Sequence, residues 1–107
     1  MQLDFSNYPD ITITELKELL DKGNSNVFLL DVREPFERAM FNIGGVLIPI
    51  NALPQNIDKL PKDKSIHIVV YCRSGMRSDT AKKYLITQGY NNVQNLLGGM
   101  LAWQANS

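Results

Sequence analysis

Ser65-Ile66-His67-Ile68-Val69-Val70-Tyr71-Cys72-Arg73-Ser74-Gly75-Met76-Arg77-Ser78 is the stretch that decides the fold. Residues 65–71 carry β-branched and apolar side chains on both faces, so a strand there is covered on both sides, as in a parallel sheet. That strand runs out onto the chain's single cysteine, a short turn follows, and Arg77 or Ser78 opens a helix. Ala81, Tyr84, Leu85 and Gln88 share one stripe of the helix, which Gly89 is placed to close. Upstream, residues 27–32 form a second mostly apolar run, and Thr12-Ile13-Thr14-Glu15 before it reads as a capping box with Thr12 as N-cap. Ile13, Leu16, Leu19 and Leu20 then fall on one helical face, and Gly23 stops the helix. Pro35 suits the first position of a short helix through about Met40, with Glu37 in its first turn. Residues 46–50 make a short strand broken by Pro49, hence at an end or edge of a sheet, and residues 53–60 a short helix between Pro54 and Pro61. Downstream come a strand at residues 93–96, a Gly98-Gly99 turn and a last helical turn or two at residues 100–104. Strands alternating with helices predict an α/β fold: a small, mostly parallel central sheet with helices on both faces, in one domain spanning residues 1–107.

Composition narrows the function classes. Eleven Lys+Arg against eleven Asp+Glu leave no net charge, which removes the generic attraction to nucleic acid or to an anionic membrane. One cysteine excludes an intramolecular disulfide and a multi-cysteine zinc site, and one histidine excludes a His-rich cluster, so no metal is expected. The start, Met1-Gln2-Leu3-Asp4-Phe5, lacks the basic and apolar regions of a secretory leader, and no apolar run approaches a membrane span. A cytoplasmic protein with a reduced thiol is the expectation. His67 sits inside the apolar strand and reads as structural.

The chemistry concentrates where strands end, because ligands of open α/β sheets lie beyond the carboxyl ends of the strands. Cys72 leaves a central strand into a turn whose successive N–H groups can form an anion-holding nest, directly before a helix N-terminus. Gly75 permits the positive φ that a loop curling round a sulfur requires. Arg73 and Arg77 add two permanent charges. Such surroundings favour a thiolate. A second polar segment, Asp31-Val32-Arg33-Glu34, ends the neighbouring strand and is expected on the same rim, Asp31 mainly in a structural role and Arg33 either at the entrance or in a structural strand-end ion pair.

With these residues in hand, the sequence resembles a single-domain rhodanese, a member of the sulfurtransferase family. Leu30-Asp31-Val32-Arg33-Glu34-Pro35 is similar to the family's first signature, the Cys72-to-Ser78 segment to its active-site loop, and Asn95-Leu96-Leu97-Gly98-Gly99-Met100-Leu101-Ala102-Trp103 to its closing signature. The resemblance implies a sulfurtransferase in which Cys72 attacks the sulfane sulfur of a small anionic donor such as thiosulfate and carries it as a persulfide. A thiol or cyanide would then accept it. It also implies that the backbone of Arg73, Ser74, Gly75, Met76, Arg77 and Ser78 holds the persulfide, with no cofactor beyond this covalent intermediate.

Loop length distinguishes a related chemistry. Cysteine-dependent phosphatases use Cys-x5-Arg, whereas Cys72 and Arg77 stand as Cys-x4-Arg, a ring better sized for a persulfide sulfur than for a phosphate. The chain also departs from the family. Where Gly-His-Ile-x-Gly-Ala is common, it has Phe41-Asn42-Ile43-Gly44-Gly45-Val46, and Arg38 takes a usually aromatic position. The Ile43-Gly44-Gly45, Ile48-Pro49 and Leu53-Pro54 pattern is similar to rhodanese domains fused behind adenylyltransferases that activate sulfur-carrier proteins. That likeness implies the alternative reading, a persulfide relay module with a sulfur-relay protein as partner.

Overall fold

The computed structural model describes residues 9–23 and 26–106; Met1–Phe5, the stretch read for a leader, lies outside them. Among the described residues, four α-helices and four strands follow in the order α1 (Ile13–Asp21), β1 (Val27–Asp31), α2 (Pro35–Met40), β2 (Val46–Leu47), β3 (His67–Tyr71), α3 (Met76–Thr87), β4 (Val93–Asn95) and α4 (Gly99–Ala105). The strands form one all-parallel sheet in the order β2-β1-β3-β4. Asp31 registers with Tyr71 and Val70 with Asn95, so three strands finish together on one edge.

Strand alternation divides the core. Leu30, Val32, Ile68 and Val70 face Ala81 and Leu85 of α3 together with Leu53 and Leu60. Val69 and Tyr71 face the other way, onto Ile13 and Leu16 of α1 and Met100 of α4. Helices therefore cover both faces, and β3, at the centre, is buried from Ile68 to Tyr71. Each large apolar side chain so enclosed contributes about 1.5–3 kcal/mol. α1 begins with the expected capping box: Glu15 N–H donates to Thr12 Oγ1 at 3.1 Å, and the Thr12 N–H to Glu15 Oε1 at 3.0 Å.

Several boundaries differ from expectation for identifiable reasons. The central strand starts at His67 because Ser65 is drawn into a turn, its N–H and hydroxyl both donating to Asp63 Oδ1. Between β2 and β3 there is no α-helix over residues 53–60 but two 3-10 segments, Ile50–Ala52 and Pro54–Lys59, the second kinked at Asn56. Segments this short do not repay α-helix nucleation, and Pro54 lacks the N–H that would link them. β2 has only two residues, at the sheet edge, although Ile48 and Ile50 still donate to Asp31 and Val32. α3 begins at Met76, ahead of Arg77. Its buried stripe is Ser78, Ala81, Lys82, Leu85 and Ile86, whereas Gln88 is exposed. Lys82 occupies that face because its Nζ meets Asp10 Oδ1 at 2.6 Å, which offsets the cost of burying its charge.

Candidate active site

β3 delivers Cys72 to the sheet edge, and the chain turns back at once. Gly75 takes φ +104°, a left-handed conformation that a side chain resists, and caps α3. The turn points its donors inward: Cys72 Sγ accepts from Gly75 N–H at 3.1 Å, Ser78 N–H at 3.4 Å and Ser78 Oγ at 3.3 Å. The sulfur-bearing residue is 1% exposed. Burial pushes its thiol pKa up, but the Ser78 hydroxyl and the Ser78, Gly75 and Ser74 amides together outweigh burial and bring it below the ordinary value.

A second layer holds the turn from behind. The N–H groups of Met100 and Leu101, in the first turn of α4, donate to the Cys72 and Arg73 carbonyls at 2.9 and 3.0 Å. Gly99 makes that approach feasible: a Cβ there would stand 2.4 Å from the Cys72 carbonyl oxygen. Gly98-Gly99, read from sequence only as a turn, thus sets how closely α4 docks on the cysteine loop. Asn95, buried at the end of β4, also joins the loop; its Oδ1 stands 2.5 Å from Ser78 Oγ as a second acceptor for the same hydroxyl, and its Nδ2 donates to the Gly75 carbonyl at 3.1 Å. Neither role was read from sequence. An asparagine ending an apolar strand and a glycine pair ahead of a helix are the signals that could have raised them.

The two arginines separate. Arg77 grips Glu37 of α2 with two bonds of 2.8 Å. This contact, foremost among its causes, draws the Glu37 carboxyl down to a pKa of about 2. Arg73 is exposed, pairs with no carboxylate among the described residues, and borders a cavity of about 420 Å³ with Phe36, Met40, Phe41 and Leu101. The cavity meets the loop at Arg73 and α4 at Met100, and Cys72 is not part of its lining. Ser74 and Met76 are exposed, so their contribution to the turn comes from the backbone.

The segment after β1 divides between a structural pair and the cavity wall. Asp31 is fully buried and lies beneath Arg33, accepting from its N–H, Nε and Nη2 at 2.9–3.0 Å. Arg33 also donates to the Glu37 and Phe41 carbonyls, so it lines the cavity while held by Asp31 and two backbone oxygens. Arg38 stands 3.5 Å from Asp31 and donates to the Gly44 and Gly45 carbonyls, and Asn42 braces that bend by accepting from the Gly44 N–H. His67 bonds Gln94 across the sheet at 2.6 Å, in keeping with a structural histidine. Among the described residues no three His, Cys, Asp or Glu side chains gather as a metal site requires. No helix among them is long and apolar enough to cross a membrane.

Comparison with known proteins gives the family and the fold. The family model for the rhodanese-like domain matches residues 12–106. A sulfurtransferase of Allochromatium vinosum is 44% identical over 79 residues, which cover 73% of this chain and 72% of that protein. The thiosulfate sulfurtransferase GlpE of Pseudoalteromonas translucida is 34% identical over 100 residues, 92% of this chain and 90% of that one. Among solved structures, a rhodanese-related protein from Thermoplasma volcanium superposes with a TM-score of 0.81 at 30% identity, covering 94% of each chain.

Proposed function

The chain belongs to the rhodanese-like domain family, and from that premise we propose that it is a sulfurtransferase that carries sulfane sulfur on Cys72. The observation that carries this reading is the convergence of two N–H groups and one hydroxyl on a single sulfur at 3.1–3.4 Å. Such an array stabilises negative charge in place, before any reaction begins. In the first step the Cys72 thiolate attacks the outer sulfur of a donor such as thiosulfate. A new S–S bond forms, the donor's S–S bond breaks, and sulfite leaves with the electron pair. In the second step a thiol or cyanide attacks the outer sulfur of the persulfide, and Cys72 departs as thiolate. The loop amides hold the charge in both states. Sulfurtransferase names among relatives that align over most of the chain support the reaction class.

The test is the intact mass of the reduced protein before and after thiosulfate. Wild type is expected to gain one sulfur atom and lose it to cyanide, while Cys72→Ser gains nothing. Sulfur gained equally by Cys72→Ser overturns the assignment.

One observation favours a second reading, a relay module that exchanges sulfur with a protein. The loop and α2 present Met76, Phe36 and Met40 at 78%, 68% and 82% exposure, an apolar surface that a small anion does not use. On this reading, transfer to and from a protein persulfide outpaces turnover with cyanide. Equal rates for protein and small-molecule partners would sink it.

A further inference from the structure

Asn95 is 4% exposed, and its amide reaches both residues that bond the Cys72 sulfur. The bond from Nδ2 to the Gly75 carbonyl settles which end of the amide is which, so Oδ1 faces the Ser78 hydroxyl. Behind it, the Asn95 N–H donates to Asp10 Oδ1 at 3.2 Å, and that oxygen also receives Lys82 Nζ. The amide is held on its backbone side as well as at the loop.

Ser78 has one hydroxyl proton and two acceptors, Asn95 Oδ1 at 2.5 Å and Cys72 Sγ at 3.3 Å. It cannot serve both at once. While the sulfur is neutral, the shorter contact to Asn95 keeps the proton; a thiolate, forming a charge-assisted bond, draws it away. We propose that Asn95 is a positioning residue that holds the Ser78 hydroxyl beside the sulfur and competes for its proton, so that the hydroxyl turns onto Cys72 only while the sulfur is charged.

The use of this device rests on the sulfur-transfer reading. Sγ is charged when it attacks and when it leaves, and neutral between, as the inner sulfur of a persulfide. The hydroxyl supports the charged states, and the competition keeps the thiolate from being over-stabilised. That matters because intrinsic nucleophilicity falls as thiol pKa falls. The charged groups around the site are Arg73 in the loop, Arg77 of α3 bound to Glu37 of α2, the Asp10–Lys82 pair behind Asn95, and the Asp31–Arg33 pair at the end of β1. None of these residues is altered in the variants below.

The test is a pH titration of thiolate ultraviolet absorbance, read against Cys72→Ser protein, for wild type, Ser78→Ala, Asn95→Leu and the double variant. Ser78→Ala is expected to raise the midpoint by about one pH unit, the effect of one charge-assisted bond. Asn95→Leu lowers it by about half a unit because the competitor is gone, and the double variant titrates with Ser78→Ala alone. A midpoint that rises or stays still in Asn95→Leu overturns the proposal, as does the same shift with and without Ser78. Should Asn95→Leu not fold, Asn95→Asp keeps the shape. Its stronger acceptor should raise the midpoint more when Ser78 is present than when it is absent, and equal rises overturn the proposal. Because this readout needs only the thiol, failure of sulfur loading would strike the function and leave this inference to its own test.

Discussion

β1 and β3 end side by side, with Asp31 in register with Tyr71, and each runs into a charged turn. The turn after β1 closes on itself: Asp31 takes three N–H groups of Arg33, and that guanidinium also meets two carbonyls. The turn after β3 converges instead on Cys72, an atom whose charge and bonding can change. In sequence the two look alike, as polar residues leaving apolar strands. What separates them is whether the partners of a charge already lie within the segment. A self-neutralised turn holds the edge of the sheet together, and an array of donors around one nucleophile prepares a reaction.

The sharpest way to break this contrast is to remove one side of the buried pair. Asp31→Asn leaves Arg33, 4% exposed, without its counter-charge. The expected loss is about 3 kcal/mol of stability, read from urea unfolding, a large part of what a domain of this size has in total. Protein that remains folded should still take up one sulfur at the wild-type rate. If Asp31→Asn is as stable as wild type, or if the folded fraction loses sulfur uptake, the turn after β1 has been misread.

Glu37→Gln probes the seam between the two regions, since Glu37 joins α2 to Arg77 of α3. Its carboxyl, ordinarily near 4.5, titrates at about 2 in the folded protein. A depressed carboxylate stabilises the fold fully above its unfolded pKa, and the contribution is lost as pH falls through the folded one. Wild type should therefore exceed Glu37→Gln in stability at neutral pH. The gap should stay constant down to about pH 4.5 and close towards pH 2. Parallel unfolding midpoints across pH 7 to 2 for the two proteins would show that the contact does not act through that charge.

How much of this was legible beforehand depended on whether a residue acts locally. The apolar runs at β1 and β3, the Thr12–Glu15 cap and the positive φ of Gly75 follow from neighbours a few positions away, and sequence reading finds them. So did the position of Cys72 at a strand end. Asn95 meets Ser78 and Gly75 across 17 and 20 residues, and Glu37 meets Arg77 across 40. No periodicity announces such partners, so Arg77 read like Arg73, whereas the structural role of Asp31 was legible because Arg33 stands two positions away. Lys82 is the intermediate case. Its spacing from Ser78 and Leu85 puts it on the buried face, but only the fold reveals Asp10 waiting there.

The smallest expected effect distinguishes the two arginines of the cysteine loop. Arg77 already neutralises Glu37, so it has little net field left to offer an approaching anion. Arg73 is exposed and borders the cavity beside the loop. An exposed charge of this kind is worth up to about 1 kcal/mol, so Arg73→Ala should raise the KM for thiosulfate about two- to fivefold with kcat nearly unchanged. Stability should move by less than about 0.5 kcal/mol, as for surface changes generally. Raising the salt concentration should erase the difference, because a charge acting through solvent is screened within about 10 Å at moderate ionic strength. A KM effect that survives high salt would mean that Arg73 touches the donor directly, and a kcat effect would place it on the reacting atoms. Either result would move the anion from the mouth of the cavity onto the loop itself and narrow the distance between recruitment and chemistry at this strand end.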